Sequence, residues 1–339
     1  MPKKIIIAVG GSGGHLLPAQ VLASEMKAEV LFAGAGLDGN IFFDKKGSFF
    51  KEISSSSSPI KGSFNILKGV AESFKLFREF KPDMVVGIGS WHSAPVLLAA
   101  IIRRIPIVLY SPDTVPSLVT RLFAPFAKWT GISFIDALRY IKGPSKLVAW
   151  PLRNAIKQRP SRQDAFIYYG LDPSQKTVLV FGGSQGAQTL NSLIKNALAD
   201  LPVQVIHLCG PHEDEKSLRA FYGSRAVVKS YETQMGFAWS AADIVICRSG
   251  ASTLAEQFYY AVPALYIPYP YASDKHQLIN ALYAKTIGGG EVSEESRIVG
   301  EELSQKIKNL LENPEQYKRA IERQRLVCPQ LSLSEEIMK

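Results

Sequence analysis

Short, continuous apolar runs recur along the chain, and each is followed by a Gly-, Ser- or Pro-rich turn and then a stretch with helical spacing. In the first half the runs are Ile5–Val9, Val30–Ala33, Asp83–Ile88, Ile105–Tyr110 and Leu147–Trp150. In the second half they are Val178–Phe181, Asp243–Cys247 and Ala264–Ile267, with a further strand at Val203–Leu208 that carries Gln204 and His207. Uninterrupted apolar strands, rather than alternating ones, belong to sheets covered on both faces. Between them the spacing predicts helices over Pro18–Lys27, Ala94–Ile102, Thr189–Ala199 and Thr253–Ala261, with surface helices over Glu301–Glu312 and Glu315–Gln324. Asn65–Phe80 carries Leu67, Val70, Phe74, Phe77 and Phe80 with Lys68, Lys75 and Arg78 between them, an amphipathic helix. Lys51–Lys61 holds the serine run Ser54–Ser58 closed by Pro59, which is loop chemistry. The expected class is α/β, with β-α-β units forming parallel sheets. The rhythm restarts after Pro151, so two lobes are expected: 1–152 and 153–325, with 326–339 a short C-terminal segment.

Two of the strand-to-helix turns are glycine-rich. Gly10-Gly11-Ser12-Gly13-Gly14-His15 follows Ile5–Val9, and Gly182-Gly183-Ser184-Gln185-Gly186-Ala187 follows Val178–Phe181. Such a turn aims backbone N–H groups and the positive end of a helix at an anion, and glycine lets the anion approach. Neither loop fits the dinucleotide GxGxxG pattern, because Leu16 stands where a glycine is required, and no lysine closes either loop as in a P-loop. What remains is phosphate or pyrophosphate binding by backbone and Ser184, or a packing turn.

With 339 residues, 46% hydrophobic and 20% charged, the chain suits two globular domains. The net charge of +9 is scattered, without a Lys/Arg block or an RNA-binding aromatic motif, so nucleic acid is not expected. Phosphorylated substrates, an anionic membrane surface or solubility alone suit the excess better. Cys209, Cys247 and Cys328 are far apart and form neither a CxxC nor a disulfide framework, which suits a reducing cytoplasm. The first residues lack a signal-peptide core, and no run is long enough to span a membrane.

Other candidates follow strand ends. His15 stands at a helix start, where the dipole disfavours its charged form. It serves there as a neutral base or as a residue that shapes the loop. Glu256, in Arg248-Ser249-Gly250-Ala251-Ser252-Thr253-Leu254-Ala255-Glu256, is placed either to accept a ribose diol or to stabilise its own helix. Asp274-Lys275-His276-Gln277 follows a Pro-rich turn and suits sugar hydroxyls or a solvated helix start. No metal-ligand spacing and no GxSxG elbow occurs.

Together these segments resemble the MurG family of GT-B glycosyltransferases. The resemblance rests on GGSGGHLLPA (Gly10–Ala19), GIGSWHSAP (Gly87–Pro95), WPLR (Trp150–Arg153), GGSQGAQTLN (Gly182–Asn191), CRSGASTLAE (Cys247–Glu256), PALYIPYP and DKHQLINAL. It implies two Rossmann-like lobes facing a cleft, with the segment 326–339 returning to the first lobe. It also implies inverting, metal-free transfer of N-acetylglucosamine from UDP-GlcNAc to the C4 hydroxyl of an undecaprenyl-pyrophosphate-linked muramoyl-pentapeptide, for peptidoglycan synthesis. The first lobe would take the acceptor, at Ser12, Gly13, Gly14, Gly89, Ser90, Trp91 and Asp113, with His15 as candidate base. The second would take the donor. Ser184, Gln185 and Gly186 would meet the diphosphate, with Arg153 on the donor side, and Arg248 and Gly250 to Glu256 would wrap the nucleotide. His276 and Gln277 would meet the sugar, and uracil would be read by backbone near Tyr231 and Glu232. A peripheral enzyme on the cytoplasmic face of the bacterial inner membrane is implied, with cell-wall synthesis proteins as further partners; Asn65–Phe80 either docks it through Leu67, Phe74 and Phe77 or lays its apolar stripe on the sheet.

The chain departs from the family pattern at Gly89-Ser90-Trp91 and at Tyr110-Ser111-Pro112-Asp113. At the second segment an aspartate replaces an amide that donates to substrate. Two other readings therefore stand beside the first: another GT-B glycolipid transferase or UDP-GlcNAc 2-epimerase, and a nucleotide-sugar-binding protein with a degraded acceptor site.

Overall fold

The structure, a computed structural model, describes residues 2–11, 13–56, 62–183, 186–297, 300–327 and 331–339. The chain divides into two compact units, Met1–Pro151 with Pro329–Lys339, and Leu152–Cys328.

The first unit is a seven-stranded parallel sheet of β1 (Lys4–Ala8), β2 (Glu29–Gly34), β3 (Phe49–Glu52), β4 (Met84–Ile88), β5 (Ile107–Ser111), β6 (Trp129–Ile132) and β7 (Ser145–Leu147). The strand order is β3-β2-β1-β4-β5-β6-β7. Side chains alternate between two cores. Ile5, Ile7 and Val9 pack with Leu16 and Leu22 of helix α1 (Gly13–Glu25) on one face. Ile6 and Ala8 pack on the other with Val70 and Phe77 of α2 (Ser63–Phe80) and Val96 and Leu97 of α3 (Ala94–Ile102). Burial on both faces is why the run Ile5–Val9 carries no polar residue. The terminal helix Leu333–Met338 inserts Leu333 and Ile337 into the first of these cores. It is tied there by Lys3 Nζ donating to the Met338 carbonyl at 2.7 Å and by the Lys146–Glu336 ion pair.

The second unit repeats the plan with β8 (Lys176–Phe181), β9 (Val203–Leu208), β10 (Ala226–Lys229), β11 (Ile244–Cys247), β12 (Ala264–Tyr266) and β13 (Gly290–Val292), in the order β10-β9-β8-β11-β12-β13. Leu190 and Ile194 of the helix Gln188–Ala197, and Leu303 and Ile307 of the helix Gly300–Glu312, cover one face. Both units are thus Rossmann-like. In each the order reverses beside the first strand, between β1 and β4 and between β8 and β11. Ligands of open α/β sheets bind at the carboxyl ends of the strands at such a reversal, and each glycine turn follows the first strand of its sheet.

Three expectations change. The first helix starts at Gly13 rather than Pro18. The strand expected at Leu147–Trp150 lies earlier, at Ser145–Leu147. On α2, Phe77 is buried against α3 and the sheet, and Phe74 is partly buried under the Arg103 guanidinium at 5.0 Å. The exposed large apolar residues of that helix are Phe64 and Leu67, at 78% and 67%. Of the serine loop, residues 57–61 lie outside the described residues.

Candidate active site

In the first unit the carboxyl ends of β1, β4 and β5 carry the candidate acceptor residues. The turn after β1 is held by its carbonyls: Asn40 Nδ2 donates to Gly11 O at 2.7 Å, and Ser90 Oγ donates to Gly10 O at 3.1 Å. Gly11 has a φ of 87°, which only glycine adopts freely. A Cβ on Gly10 would sit 2.4 Å from the Ala35 carbonyl oxygen and 2.7 Å from the His92 Cβ. The turn is therefore shaped around His92, whose Nδ1 would lie 3.3 Å from a Cβ on Gly11. Burial lowers the His92 pKa, against a smaller opposite pull from Glu52. Gly13 and Gly14 open α1, and His15 stands in its first turn, partly exposed.

Gly89 ends β4 against Ser117 and Thr120, where a Cβ would meet their hydroxyls at 2.7 and 2.6 Å. Trp91 packs partly against the core, and Ser55 Oγ donates to its carbonyl at 2.8 Å. Asp113 follows β5 and is partly exposed. Nearby Tyr110 is fully buried, with its hydroxyl 2.9 Å from Ser133 Oγ. Burial raises the Tyr110 pKa, the Ser133 bond opposes this, and the Asp113 charge adds to it.

In the second unit the corresponding edge carries the candidate donor residues. Gly183 and Gly186 have φ of 92° and 74°, and Gly186 N donates to Gly183 O at 3.0 Å, ahead of the helix Gln188–Ala197. At Gly182 a Cβ would collide with Ala187 Cβ at 2.4 Å. After β11, Gly250 caps the helix Ala251–Tyr260, which puts Glu256 in its second turn. Both Glu256 oxygens are engaged. Arg153 donates to Oε1 at 3.0 Å and the buried Trp239 indole donates to Oε2 at 2.8 Å. Burial pulls the Arg153 pKa down, but Glu256 and Tyr231 outweigh it and the net shift is upward. Ser252 and Thr253 are partly exposed, whereas Leu254 and Ala255 turn into the core.

Arg248 is buried, and its guanidinium is spent inside the unit. It donates to the Ile267 and Pro268 carbonyls at 3.0 and 3.1 Å and pairs with Glu295 at 2.6 Å. It joins the ends of β11 and β12 rather than facing outward. Gln277 accepts from Tyr269 N through Oε1 at 3.0 Å, and its own carbonyl accepts from Ser249 Oγ at 2.7 Å. His276 Nδ1 lies 2.7 Å from the Ser273 carbonyl, which only accepts. The proton therefore sits on Nδ1, and in the neutral ring Nε2 is an acceptor. Glu232 turns inward onto Lys229 Nζ and Tyr169 Oη at 2.6 and 3.0 Å. Burial pushes its pKa up, but these partners and the Gln234 N–H bring it below the usual value. Among the described residues no group of three His, Cys, Asp or Glu side chains is placed to hold a metal ion.

Residues 5–132 match the glycosyltransferase family 28 N-terminal domain and residues 177–332 the family 28 C-terminal domain. The crystal structure of Acinetobacter baumannii MurG shares the fold, with a TM-score of 0.81 over 99% of this chain and 98% of that one at 24% identity. A curated relative from Protochlamydia amoebophila is named UDP-N-acetylglucosamine–N-acetylmuramyl-(pentapeptide) pyrophosphoryl-undecaprenol N-acetylglucosamine transferase. It is 40% identical over 316 residues, 87% of this chain and 84% of its own. This chain belongs to the MurG family of glycosyltransferases. A Chlamydia trachomatis serovar D relative of the same name is 34% identical over 90% of this chain and 88% of its own.

Seen as a MurG-family chain, the protein brings Gly186, Ser252, Thr253, Glu256, His276 and Gln277 to the carboxyl edge of one sheet. Gly13, Gly14, His15, Gly89, Ser90, Trp91 and Asp113 come to that of the other. Ser12, Ser184 and Gln185 lie outside the described residues. His92 and Trp239 were not singled out from sequence. Their contacts, to Gly10–Gly11 and to Glu256, cross between segments with no local spacing to announce them.

Proposed function

We propose that this protein transfers N-acetylglucosamine from UDP-GlcNAc to the C4 hydroxyl of N-acetylmuramyl-pentapeptide pyrophosphoryl-undecaprenol, converting lipid I to lipid II with inversion. The hydroxyl oxygen attacks the anomeric carbon, the bond from that carbon to the β-phosphate oxygen breaks, and the hydroxyl proton passes to a base. UDP leaves with the electron pair. The first unit is the acceptor lobe and the second the donor lobe.

The observation that carries this reading is the pairing, in the second unit, of a glycine turn and an oriented carboxylate on the two strands that flank the strand-order reversal. Backbone N–H groups at the turn and the start of Gln188–Ala197 offset the charge that grows on the leaving diphosphate. Glu256 takes the ribose diol. Each of its oxygens already accepts one hydrogen bond, and a carboxylate has about four acceptor positions, so Arg153 and Trp239 orient it without saturating it. His276 Nε2 accepts from a sugar hydroxyl, and Gln277 presents its Nε2.

His15, in the first turn of α1, serves as the base. With the diphosphate charge met by the turn and helix dipole, turnover needs no resident metal and persists in EDTA. Asp113 accepts from an acceptor hydroxyl rather than donating to the pyrophosphate.

The acceptor's lipid tail requires a membrane-facing surface, and among the described residues no helix is long and apolar enough to cross a membrane. We place that surface on the first unit, which would bind peripherally at the cytoplasmic face. Phe64 and Leu67 on α2 are exposed, as are Leu118, Leu122 and Phe126, spaced four apart from the start of α4 (Leu118–Phe123). Lys68, Lys75, Arg78 and Lys128 supply positive charge for an anionic leaflet.

Purified protein given UDP-GlcNAc and a short-chain lipid I analogue tests the proposal. UDP release is expected only when the analogue is present. Equal release without it would point to an epimerase or hydrolase and overturn the reading.

A further inference from the structure

His207 on β9 is fully buried and used at both nitrogens. Nδ1 lies 3.1 Å from Tyr222 Oη, and Nε2 lies 3.1 Å from Asn191 Oδ1. Asn191 fixes the direction of the whole chain. Its Nδ2 donates to the Cys209 carbonyl at 2.8 Å and to Glu213 Oε2 at 2.8 Å, so the atom facing His207 is an acceptor. His207 Nε2 must then carry the proton, Nδ1 of the neutral ring must accept, and the Tyr222 hydroxyl must donate. Burial supports the neutral ring, pushing the His207 pKa down to about 4.

The chain of donors ends on the wall of the donor-side glycine turn. A Cβ on Gly186 would stand 2.9 Å from the Cys209 carbonyl oxygen. Asn191 N also donates to Ala187 O at 2.9 Å, and Gln188 Nε2 donates to His212 O at 2.8 Å. Loop 209–213 therefore grips the first turn of Gln188–Ala197 from the side.

We propose that His207 is a positioning residue for donor binding: through Asn191 and the Cys209 carbonyl it fixes where Gly186, Ala187 and the following helical turn stand. The backbone N–H groups of Ala187 and that helical turn then meet the diphosphate of the nucleotide sugar, a step that rests on the donor reading above. The role belongs to affinity for the nucleotide, not to the acceptor, and it is separable from bulk packing because a ring of similar size fills the same space without the hydrogen bonds.

The test is calorimetric titration of wild type, His207→Phe and Tyr222→Phe with UDP, with KM measured for both substrates. His207→Phe is expected to weaken UDP binding about tenfold and to raise the KM for UDP-GlcNAc to match, with the lipid analogue KM unchanged. Tyr222→Phe, which removes only the outermost donor, is expected to weaken UDP about threefold, and it carries the test if His207→Phe does not fold. Unchanged UDP affinity in a folded variant, or an equal rise in both KM values, would overturn the proposal. Imidazole 15N shifts of unliganded wild type should show the Nε2–H tautomer, and the Nδ1–H tautomer would also overturn it. Wild type that fails to bind UDP would instead overturn the donor reading, and the tautomer measurement would still test the hydrogen-bond chain.

Discussion

Arg153 and Glu256 meet at 3.0 Å, joining the first residues of the second unit to the second turn of a helix about a hundred residues later. With Trp239 on the other oxygen, the pair holds the carboxylate in one orientation at the strand-end edge. Arg153→Ala leaves Glu256 with one of its two donors, and the exposure of the arginine softens the loss. UDP affinity should fall about tenfold, with a stability cost of about 1–2 kcal/mol, since removing a hydrogen-bond partner from a largely buried group costs about 1–3. Calorimetry and thermal melts check both, and unchanged UDP binding would refute an orienting role for Arg153.

His92 walls the acceptor-side turn, so His92→Ala should loosen Gly10–Gly11. The expected result is a rise of about fivefold or more in the KM for the lipid analogue with UDP affinity unchanged, roughly the effect of 1 kcal/mol. A change confined to the UDP-GlcNAc KM would contradict this placement.

The pH dependence of stability follows from His207. The unfolded chain takes a proton near the ordinary value of 6.5, whereas burial delays this to about 4 in the folded protein. Its contribution is fully present above pH 6.5 and is lost as pH falls toward about 4. At 1.36 kcal/mol per pH unit this is at most about 3 kcal/mol. Denaturant midpoints of wild type and His207→Gln at pH 7.5 and 4.5 check it. Wild type should lose more between the two, and equal losses would show that His207 does not titrate as described.

Helix α2 separates stability from docking. Phe77→Ala should cost about 3–5 kcal/mol, as for a large aromatic removed from a core. Leu67→Ser should leave the melting temperature within a degree or two and weaken binding to vesicles containing anionic lipid. Full vesicle binding by a Phe64→Ser, Leu67→Ser double variant would move the membrane surface elsewhere.

The central strands were legible because burial on both faces demands uninterrupted apolar runs, as in Ile5–Ala8 and Val178–Phe181. The edges were not. Phe49–Glu52 and Gly290–Val292 are short and carry charge, as edge strands do, and the inner strand Trp129–Ile132 is interrupted by Thr130 and Gly131. The glycine turns and Glu256 were legible because their chemistry is local in sequence. The burial of Phe77 was not, because a helical apolar stripe reads alike whether it faces a core or a membrane. His92, Trp239 and His207 act on residues far along the chain, and only the fold brings them together. Arg248 looked like a ligand group beside a turn, but its guanidinium bridges two strand ends.

Inverting transfer of one sugar onto the lipid-linked acceptor is checked by proton NMR of the disaccharide made from UDP-GlcNAc and a lipid I analogue, through the coupling at the new anomeric centre and the position of the linkage. A single β-linked N-acetylglucosamine on the C4 oxygen of the muramoyl sugar is expected. An α linkage, attachment at another hydroxyl, or an epimerised sugar with the acceptor untouched would contradict it.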